Sequence, residues 1–323
     1  MLVKKQIVFS FVLAMLSFVA TKTFESYGVN QYYRYQADHF VKENGYFDLQ
    51  HPAKVQFLPV GILPFSHIAA LDSSNLIGMQ ANGSNGLIVL NPDSSSFYMI
   101  NPLAHDVKLT AFVKVDTSLY LFDDRMQVYA THYPFDSSST SKISEKAMKW
   151  KASSACYHAA THRIYFNQEI TDPEVNRMRS VYAFNVNKNQ FASDPLFVYD
   201  VDAIEHFATE NGIRIHANRI TALNDTVLGL TIIPTAIAVH PKTNEVYILS
   251  GIDHSLVVFN QYGDILNYSE LDPNIFPNPS GLAFTDSGDI LISNEDMMKN
   301  SIVRVSWNKL FQSKQGKGLV FGR

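Results

Sequence analysis

The stretch Pro234-Thr-Ala-Ile-Ala-Val-His-Pro-Lys-Thr-Asn-Glu-Val-Tyr-Ile-Leu-Ser250 returns in altered form as Pro279-Ser-Gly-Leu-Ala-Phe-Thr-Asp-Ser-Gly-Asp-Ile-Leu-Ile-Ser-Asn294. Each copy has a proline and a small polar residue, then an apolar strand, a turn and a second apolar strand that ends on polar groups. The first copy continues through Ser255-Leu-Val-Val-Phe, a turn at Gln261-Tyr-Gly-Asp and the run Ile265-Leu-Asn-Tyr. Four strands in about 45 residues is the period of a β-propeller blade.

Three weaker copies lie upstream and start near residues 65, 110 and 153, so that five copies are visible. Because an open fan of blades would leave an exposed strand edge, the ring should close. We therefore predict an all-β, single-domain propeller of six four-stranded blades. The sixth would combine a strand near Val55–Leu63 with the tail Gly318-Leu-Val-Phe. The alternatives are five or seven blades, or a β-sandwich, which shares the short strands but lacks the recurring Pro/Ser start.

The N-terminal residues predict export from the cytoplasm. Lys4 and Lys5 precede a run from Ile7 to Ala20 in which only two serines are polar, and this run is short for a membrane span. We interpret 1–21 as a signal peptide or an uncleaved signal anchor, 22–50 as a linker, and 51–323 as the propeller with an insertion near 203–233. The expected location is periplasmic or extracellular, with membrane contact only through an uncleaved leader.

Composition and motifs exclude several classes of function. The net charge is −4, and lysines and arginines are scattered without a basic stripe, which argues against nucleic-acid binding. Cys156 is the only cysteine, so a disulfide framework is excluded. The sequence contains no nucleophile elbow, no phosphate-binding glycine loop and no His-Glu-x-x-His motif. We expect a monomer whose partner is a small ligand, a peptide or a glycan.

Polar residues stand where the first strand of each repeat begins and where the second strand ends. These two places meet at one end of an antiparallel hairpin, so the polar residues should surround one mouth of the central channel. Carboxylate and amide oxygens favour Ca²⁺ or Mg²⁺ over zinc, and we predict one divalent cation there, with Ca²⁺ as the expected ion. The predicted metal ligands are Glu295, Asn294, Glu169, Asn167 and Asp123, and the predicted ligand-binding residues are Ser66, His67, Thr235, Ser280 and Asp253. The alternative is that these Asp and Asn residues bond local backbone groups in turns.

The two clear repeats resemble the SdiA-regulated protein family, which consists of exported or membrane-anchored bacterial propellers related to NHL-type repeats. The resemblance rests on the stretch from Pro234, on Pro279-Ser-Gly-Leu-Ala-Phe and Leu291-Ile-Ser-Asn-Glu, and on Val181-Tyr-Ala-Phe-Asn with Asp194-Pro-Leu-Phe-Val-Tyr after it. It is clearest over roughly residues 180–300. The first repeat departs from the family, because Ser66-His67-Ile68 stands where a Ser-Gly pair is usual. The resemblance implies a six-bladed fold and an envelope location.

The leading hypothesis is a non-catalytic binding propeller of the cell envelope that holds a cation, a small ligand, a peptide or a glycan at the polar mouth of its channel. The alternative is a metal-dependent hydrolase of the lactonase or phosphoesterase type, by analogy of fold alone. Such a hydrolase needs a general base beside a metal-bound water, so Glu169, Asp123 or His67 would have to converge on one ion. A third hypothesis is an interaction module that binds no ligand.

Overall fold

The computed structural model describes residues 47–307 apart from 60, 81–85, 104–106, 133–134, 136, 145–147, 175, 221–224 and 296–299. The predicted leader at 1–21, residues 22–46 of the predicted linker and the tail at 318–321 therefore lie outside the described residues.

The regular secondary structure of the described chain is mostly β-strand. Its first nine strands are β1 (Lys54–Phe57), β2 (Phe65–Ala70), β3 (Leu76–Gln80), β4 (Leu87–Leu90), β5 (Phe97–Ile100), β6 (Leu109–Val115), β7 (Ser118–Asp123), β8 (Val128–His132) and β9 (Thr140–Ser144). The middle of the chain forms β10 (Ala152–His158), β11 (Arg163–Gln168), β12 (Met178–Asn185), β13 (Gln190–Phe191), β14 (Phe197–Asp200), helix α1 (Val201–Glu210), β15 (Asn218–Ile220) and β16 (Thr226–Leu228). The last strands are β17 (Pro234–Val239), β18 (Val246–Ser250), β19 (Ser255–Phe259), β20 (Ile265–Glu270), β21 (Pro279–Phe284), β22 (Ile290–Asn294) and β23 (Ser301–Val305). Short 3₁₀ turns lie at Ser137–Ser139 and Ala159–Thr161.

These strands form five antiparallel blades around an axis, which confirms the propeller. Blade 1 is β2–β5, blade 2 is β6–β9, blade 3 is β10–β14, blade 4 is β17–β20, and blade 5 is β21–β23 with β1. The first strand of each blade contacts the first strands of the two neighbouring blades, so β2, β6, β10, β17 and β21 surround the axis. The axial channel is therefore bounded by five strands that come from separate parts of the sequence.

The prediction of six blades is wrong, because the described blades number five. The N-terminal strand β1 pairs with β23 as the outer strand of blade 5, from Lys54 opposite Arg304 to Phe57 opposite Ser301. Closure between the two ends of the chain was predicted, but it completes an existing blade rather than making a new one. The long gap between the third and fourth repeats adds α1 and the β15–β16 hairpin instead of a blade.

The insertion between blades 3 and 4 begins as a capped helix. The Asp200 side chain accepts a hydrogen bond from Asp202 N (3.0 Å) at the start of α1, as expected of an N-cap aspartate. Val201, Ile204 and Ala208 lie on the buried face of the helix and join a hydrophobic cluster with strands of blades 3 and 4. None of the helices described is long and apolar enough to cross a bilayer.

The hydrophobic core lies between the blades rather than inside any one of them. Separate clusters of buried apolar side chains join blades 1 and 2, blades 2 and 3, blades 3 and 4, and blades 5 and 1. Between blades 4 and 5 the rings of Phe47, Tyr247 and Phe284 pack against one another. Strands such as β18, β19 and β22 are buried along their whole length, which explains why they appear as continuous apolar runs.

Each inner strand carries a β-bulge at its second residue. The pairing with the second strand of the blade skips one position, for example between Pro234 opposite Ser250 and Ala236 opposite Leu249. The skipped residue carries a hydroxyl in all five blades; these residues are Ser66, Thr110, Ser153, Thr235 and Ser280. Each hydroxyl donates to a carbonyl of the second strand, as Thr235 Oγ1 does to Leu249 O (3.2 Å) and Thr110 Oγ1 does to Phe122 O (3.1 Å). The bulge interrupts the ladder locally, and the hydroxyl supplies a replacement donor.

We predict that Thr235→Val lowers the free energy of unfolding by about 1 kcal/mol, because the Leu249 carbonyl loses its side-chain donor while the shape of the residue is kept. Urea denaturation followed by intrinsic fluorescence measures the change. Thr235→Ser keeps the hydroxyl and should be less destabilised than Thr235→Val. A valine variant as stable as the wild type would show that the hydroxyl does not support the bulge.

Candidate functional site

The propeller has two ends, which we name by the strands that meet there. At the start face, the inner strands begin and the second strands end, as in the pairs Phe65–Gln80, Ala152–Gln168 and Pro279–Asn294. At the turn face, a tight turn joins each inner strand to the second strand. All ten residues predicted for metal or ligand binding belong to strand ends or connections of the start face.

The predicted hydroxyl ligands are bonded to the protein itself. Ser66 Oγ donates to Met79 O (3.3 Å), Thr235 Oγ1 bonds Leu249 O, and Ser280 Oγ donates to Phe65 O of blade 1 (2.8 Å). The structural equivalents that sequence reasoning missed are Thr110 and Ser153. A single pattern, a hydroxyl at the second residue of every inner strand, could have found them. Its physical meaning is the bulge.

Two predicted carboxylates are also occupied by local backbone groups. The Asp123 carboxylate accepts hydrogen bonds from the N–H groups of Arg125 (2.9 Å) and Gln127 (2.8 Å), which fixes the turn after β7. Asp253 accepts from the N–H groups of Thr231 and Ile232 (2.8 Å each) and from Ser250 Oγ. Burial raises the pKa of Asp253, and these three hydrogen bonds act in the opposite direction.

Asp253 forms half of a clamp on the connection into blade 4. The buried Arg179 donates to the carbonyls of Thr231 and Ile232 (2.7 Å each), while Asp253 holds the N–H groups of the same two residues. Ile232 has a φ of 43°, a left-handed conformation that is costly for a β-branched residue. The clamp therefore holds a strained segment, which is a structural use for a carboxylate that the sequence placed in the binding site.

Three predicted residues are buried and have side-chain atoms without a partner among the described residues. They are His67, at Nε2, Asn167, at Oδ1, and Asn294, at both amide atoms. Asn167 Nδ2 donates to Ser154 Oγ (3.1 Å), which orients its side chain. Burial lowers the pKa of His67 to about 4, although the backbone of Ser153 in blade 3 acts in the opposite direction. Unpartnered buried amides are rare and commonly bond an ordered water or an ion.

The two predicted glutamates lie at the surface of the start face. Glu169 and Glu295 are both exposed, and the N–H of each bonds a connecting segment, through Lys151 O (2.8 Å) and Asn278 O (2.9 Å) respectively. Within the described part of the chain, no three His, Cys, Asp or Glu side chains lie close enough to share a metal ion. The calcium site therefore stays a prediction.

The axial channel contains a cavity of about 330 Å³ that reaches the turn face. All five inner strands line it with consecutive residues, so its wall consists of the inner edges of the strands. Small and apolar residues predominate; they include Ile68, Ala70, Phe112, Ala155, Ile237 and Leu282. Its volume lies near the lower end of the range of small-molecule sites, about 300–1,000 Å³, which are also mainly apolar.

The rim of this cavity is acidic. Lys114, Asp116 and Asp286 line it. The hydrogen bond from Asn75 is the main cause that lowers the pKa of Asp72, and the positive charge of the nearby Lys114 contributes to the same shift. No ion pair of the described residues involves Asp116 or Asp286. These two carboxylates therefore give the rim a net negative charge.

Burial and the negative charge of Asp116 raise the pKa values of the neighbouring tyrosines. Partial burial raises the pKa of Tyr157, and the negative charge of Asp116 adds to this effect. Tyr157 also lines the cavity, with its hydroxyl 2.9 Å from His162 Nδ1. A ring next to a carboxylate at the mouth of an apolar cavity suits a ligand that carries a cation.

Two buried histidines of the turn face join neighbouring blades in the same way. His158 of blade 3 donates through Nε2 to Asn244 Oδ1 of blade 4 (3.2 Å), and His240 of blade 4 donates through Nε2 to Gly288 O of blade 5 (3.2 Å). His240 Nδ1 accepts from the N–H groups of Lys242 and Thr243, so both ring nitrogens are used by a neutral imidazole. Burial lowers the pKa of His158 and lowers that of His240 to about 4.

Sequence reasoning missed the turn face because it followed polar residues at the start of each repeat. The available signal was the residue at the end of the inner strand, the fifth after the bulge hydroxyl. It is His in blades 3 and 4, Thr in blade 5, and Leu or Val in blades 1 and 2. That position does not stand out until the register aligns the five blades.

No family model matches the chain, and no curated protein matches its sequence. The structure is similar to the glutaminyl cyclase of Myxococcus xanthus, with a TM-score of 0.49 and 8% identity over 79% of this chain and 95% of that one. It is similar to a gluconolactonase of Xanthomonas campestris, with a TM-score of 0.48 and 13% identity over 78% and 89% of the two chains. It is similar to the RRP9 WD40 repeats, with a TM-score of 0.44 and 12% identity over 79% and 99%. These likenesses concern the fold and carry no activity to this chain.

We predict that acid destabilises the propeller through its buried histidines. A histidine with a pKa near 6.5 in the unfolded chain and about 4 in the fold binds protons preferentially when unfolded, so stability falls as the pH drops through this window. For His240 the loss between pH 7.5 and pH 4 is about 3 kcal/mol, since one pKa unit corresponds to about 1.4 kcal/mol.

Urea denaturation at several pH values tests this with His240→Gln and a control, His206→Gln, whose side chain is exposed on α1. The His240→Gln variant should be less stable at pH 7.5 but lose about 3 kcal/mol less on acidification. The control should keep the wild-type pH dependence. Equal pH dependence in all three proteins would refute the role of His240.

Proposed function

We propose that this chain is a small-ligand-binding propeller that takes an amphiphilic cation, an apolar body with an ammonium group, into its axial channel from the turn face. The observation that carries the proposal is the cavity of about 330 Å³ with an apolar wall and, at its rim, the carboxylates Asp116 and Asp286, which form no ion pair with any other described residue. An apolar wall gains free energy by covering the body of the ligand. The rim carboxylates attract the ammonium group and set its orientation.

The arrangement of the start face favours binding over metal-dependent hydrolysis. Asp123 is bonded to its own turn, His67 is buried, and Glu169 is exposed, so these three side chains have different environments. A hydrolase would need a general base beside a metal-bound water. The turn face instead offers neutral histidines whose nitrogens already bond neighbouring blades.

The proposed setting is the cell envelope, as a protein of the SdiA-regulated type. The support for export is the lysine-flanked apolar leader, and the support for the family is the pair of repeats from Pro234 to Glu295. Both proposals rest on the sequence. The binding proposal needs neither, because it rests on the channel.

We predict that hexylamine binds the channel more tightly than hexanol, and that hexanoate binds most weakly, because the rim is negative and the wall apolar. Asp116→Asn should weaken hexylamine binding about threefold to fivefold, on the order of 1 kcal/mol, as for an exposed charge pair. Asparagine tolerates the left-handed φ of 50° at this position, so the turn is kept. Titrations followed by NMR chemical shifts or calorimetry measure the affinities, and added salt should reduce the difference between amine and alcohol.

The matched control is Asp124→Asn, which removes the same charge from the start face. It should leave hexylamine affinity within about a factor of two, because exposed charges farther apart than a Debye length are screened. The proposal fails if the amine, the alcohol and the carboxylate bind equally, or if Asp124→Asn weakens amine binding as much as Asp116→Asn.

The start face gives a separate proposal, a bound Ca²⁺. Its support is the unpartnered Oδ1 atoms of Asn167 and Asn294, together with Glu295 directly after the second. Calorimetric titration of the protein with CaCl₂ should show binding, and Glu295→Gln should weaken it about tenfold, on the order of 1.4 kcal/mol. The Ca²⁺ proposal fails if the titration shows no heat of binding, or if the glutamine variant binds Ca²⁺ with unchanged affinity.

A further inference from the structure

A second cavity, of about 260 Å³, lies between blade 5 and blade 1 at the turn face, and we name it the seam cleft. Its floor is apolar, formed by Leu76, Leu291 and Ile302. Its walls are polar and comprise Lys54 and Gln56 of β1, the turn 72–75 of blade 1, and the turn 285–287 of blade 5. The seam cleft therefore lies beside the strand that closes the ring.

The other four seams are filled by the fifth residue after the bulge hydroxyl, at the end of each inner strand. His158 and His240 reach the turns of the next blades through Asn244 and Gly288. Leu71 and Val115 stand at the same position in blades 1 and 2, and both pack into the hydrophobic clusters that join their blades to the next ones. A large side chain at this position thus closes each of these seams.

Blade 5 carries Thr285 at this position, and its side chain turns back onto its own turn. The Thr285 hydroxyl accepts from Asp289 N (3.0 Å) and bonds Ser287 Oγ (2.8 Å). A threonine is too short to do this and also reach blade 1. The seam cleft is therefore the space that a histidine fills in the two preceding seams.

Gln56, which lines the seam cleft, carries an unsatisfied acceptor. Gln56 donates through Nε2 to Pro92 O, whereas its Oε1 is buried and has no partner among the described residues. The two cations of the walls are already paired, Lys54 with Asp93 (2.9 Å) and Arg304 with Asp289 (2.6 Å). A ligand group that suits this acceptor is a neutral hydrogen-bond donor such as an amide or a hydroxyl, because burying a charged ammonium group beside it would cost more desolvation and a carboxylate would place an acceptor against an acceptor.

The seam cleft and the cavity of the axial channel share part of their lining. Ala70, Thr285 and Asp286 line both cavities. Asp286, whose carboxylate is in no ion pair within the described part of the chain, therefore stands at their junction. A single elongated molecule can therefore place an ammonium group at the rim and extend a chain over the apolar floor of the seam cleft.

We propose that the seam cleft is the second half of the binding site, which makes the ligand class an elongated amine whose far end is a neutral hydrogen-bond donor. This inference rests on the proposed function, because the ammonium group is held by the channel rim. The donor end bonds Gln56 Oε1, and the connecting chain covers Leu76, Leu291 and Ile302.

The test compares hexylamine with a series of ω-amino primary amides of hexyl to dodecyl chain length, by calorimetry on the full chain. The readout is the affinity ratio between the best amino amide and hexylamine within the same protein. We expect a ratio of at least about tenfold in the wild type, with an optimum at one chain length, since a satisfied buried acceptor and a covered apolar floor both add affinity.

Two variants locate this gain. Thr285→His should reduce the ratio to about one, because His240 shows that an imidazole here can cap the turn and fill the seam. Gln56→Met keeps the size of the side chain, removes the acceptor, and should reduce the ratio severalfold without changing hexylamine affinity. Thr285→Ser, which keeps the hydroxyl, should keep the ratio. Urea denaturation confirms that each variant is folded.

The outcomes separate the two proposals. If hexylamine does not bind, the channel function fails and this inference fails with it. If hexylamine binds but no amino amide exceeds it, the channel function stands and the seam cleft is not part of the site. A tenfold ratio that persists in both Thr285→His and Gln56→Met would also overturn the inference, because the chain would then lie elsewhere.

Discussion

The structure depends on four residues of β1 that close the ring. Residues 54–57 pair with residues 301–304 across almost the whole described length of the chain, and this pairing supplies the outer strand of blade 5. Without β1 the free edge of β23 would be exposed to pairing with another chain. The closed ring also fixes the five inner strands around one axis, so the channel and every seam between blades depend on this contact.

Because the ring is closed, each position of the repeat has an equivalent in every blade, but the residue types at equivalent positions can differ. The bulge residue keeps a hydroxyl in all five blades because each blade needs the same replacement donor for its interrupted ladder. The fifth residue after the bulge hydroxyl is under a weaker constraint, since it needs only to occupy the seam beside it. Histidine, leucine and valine do so in four seams, whereas Thr285 leaves space at the fifth. A single short side chain thus distinguishes the seam at which the ring is closed.

The polar side chains at the two ends of the propeller have different bonding partners. At the start face the hydroxyls, Asp123 and Asp253 bond backbone groups, and the Asp253–Arg179 clamp holds a strained connection at Ile232. At the turn face the histidines are neutral and bond neighbouring blades, while Asp116 and Asp286 have no ion-pair partner in the described chain. These two carboxylates are the ones that we propose act on a ligand, at the end of the propeller opposite the predicted metal site, which stays a prediction.

The sequence by itself determined the blade. The sequence shows short apolar strands that alternate with turns, and a recurring start at Pro234 and Pro279. Both features follow from local backbone geometry and burial, so each can be recognised within one short segment. The sequence also indicated that the two ends of the chain meet, because an open ring would expose a strand edge. Only the tertiary structure decided the number of blades, since pairing of β1 with β23 depends on contacts between residues about 250 positions apart. The tertiary structure also decided which polar residues are available. Asp123 and Asp116 look alike in the sequence, but backbone N–H groups of the turn after β7 already bond the Asp123 carboxylate. The position of the axis instead leaves Asp116 at the channel rim.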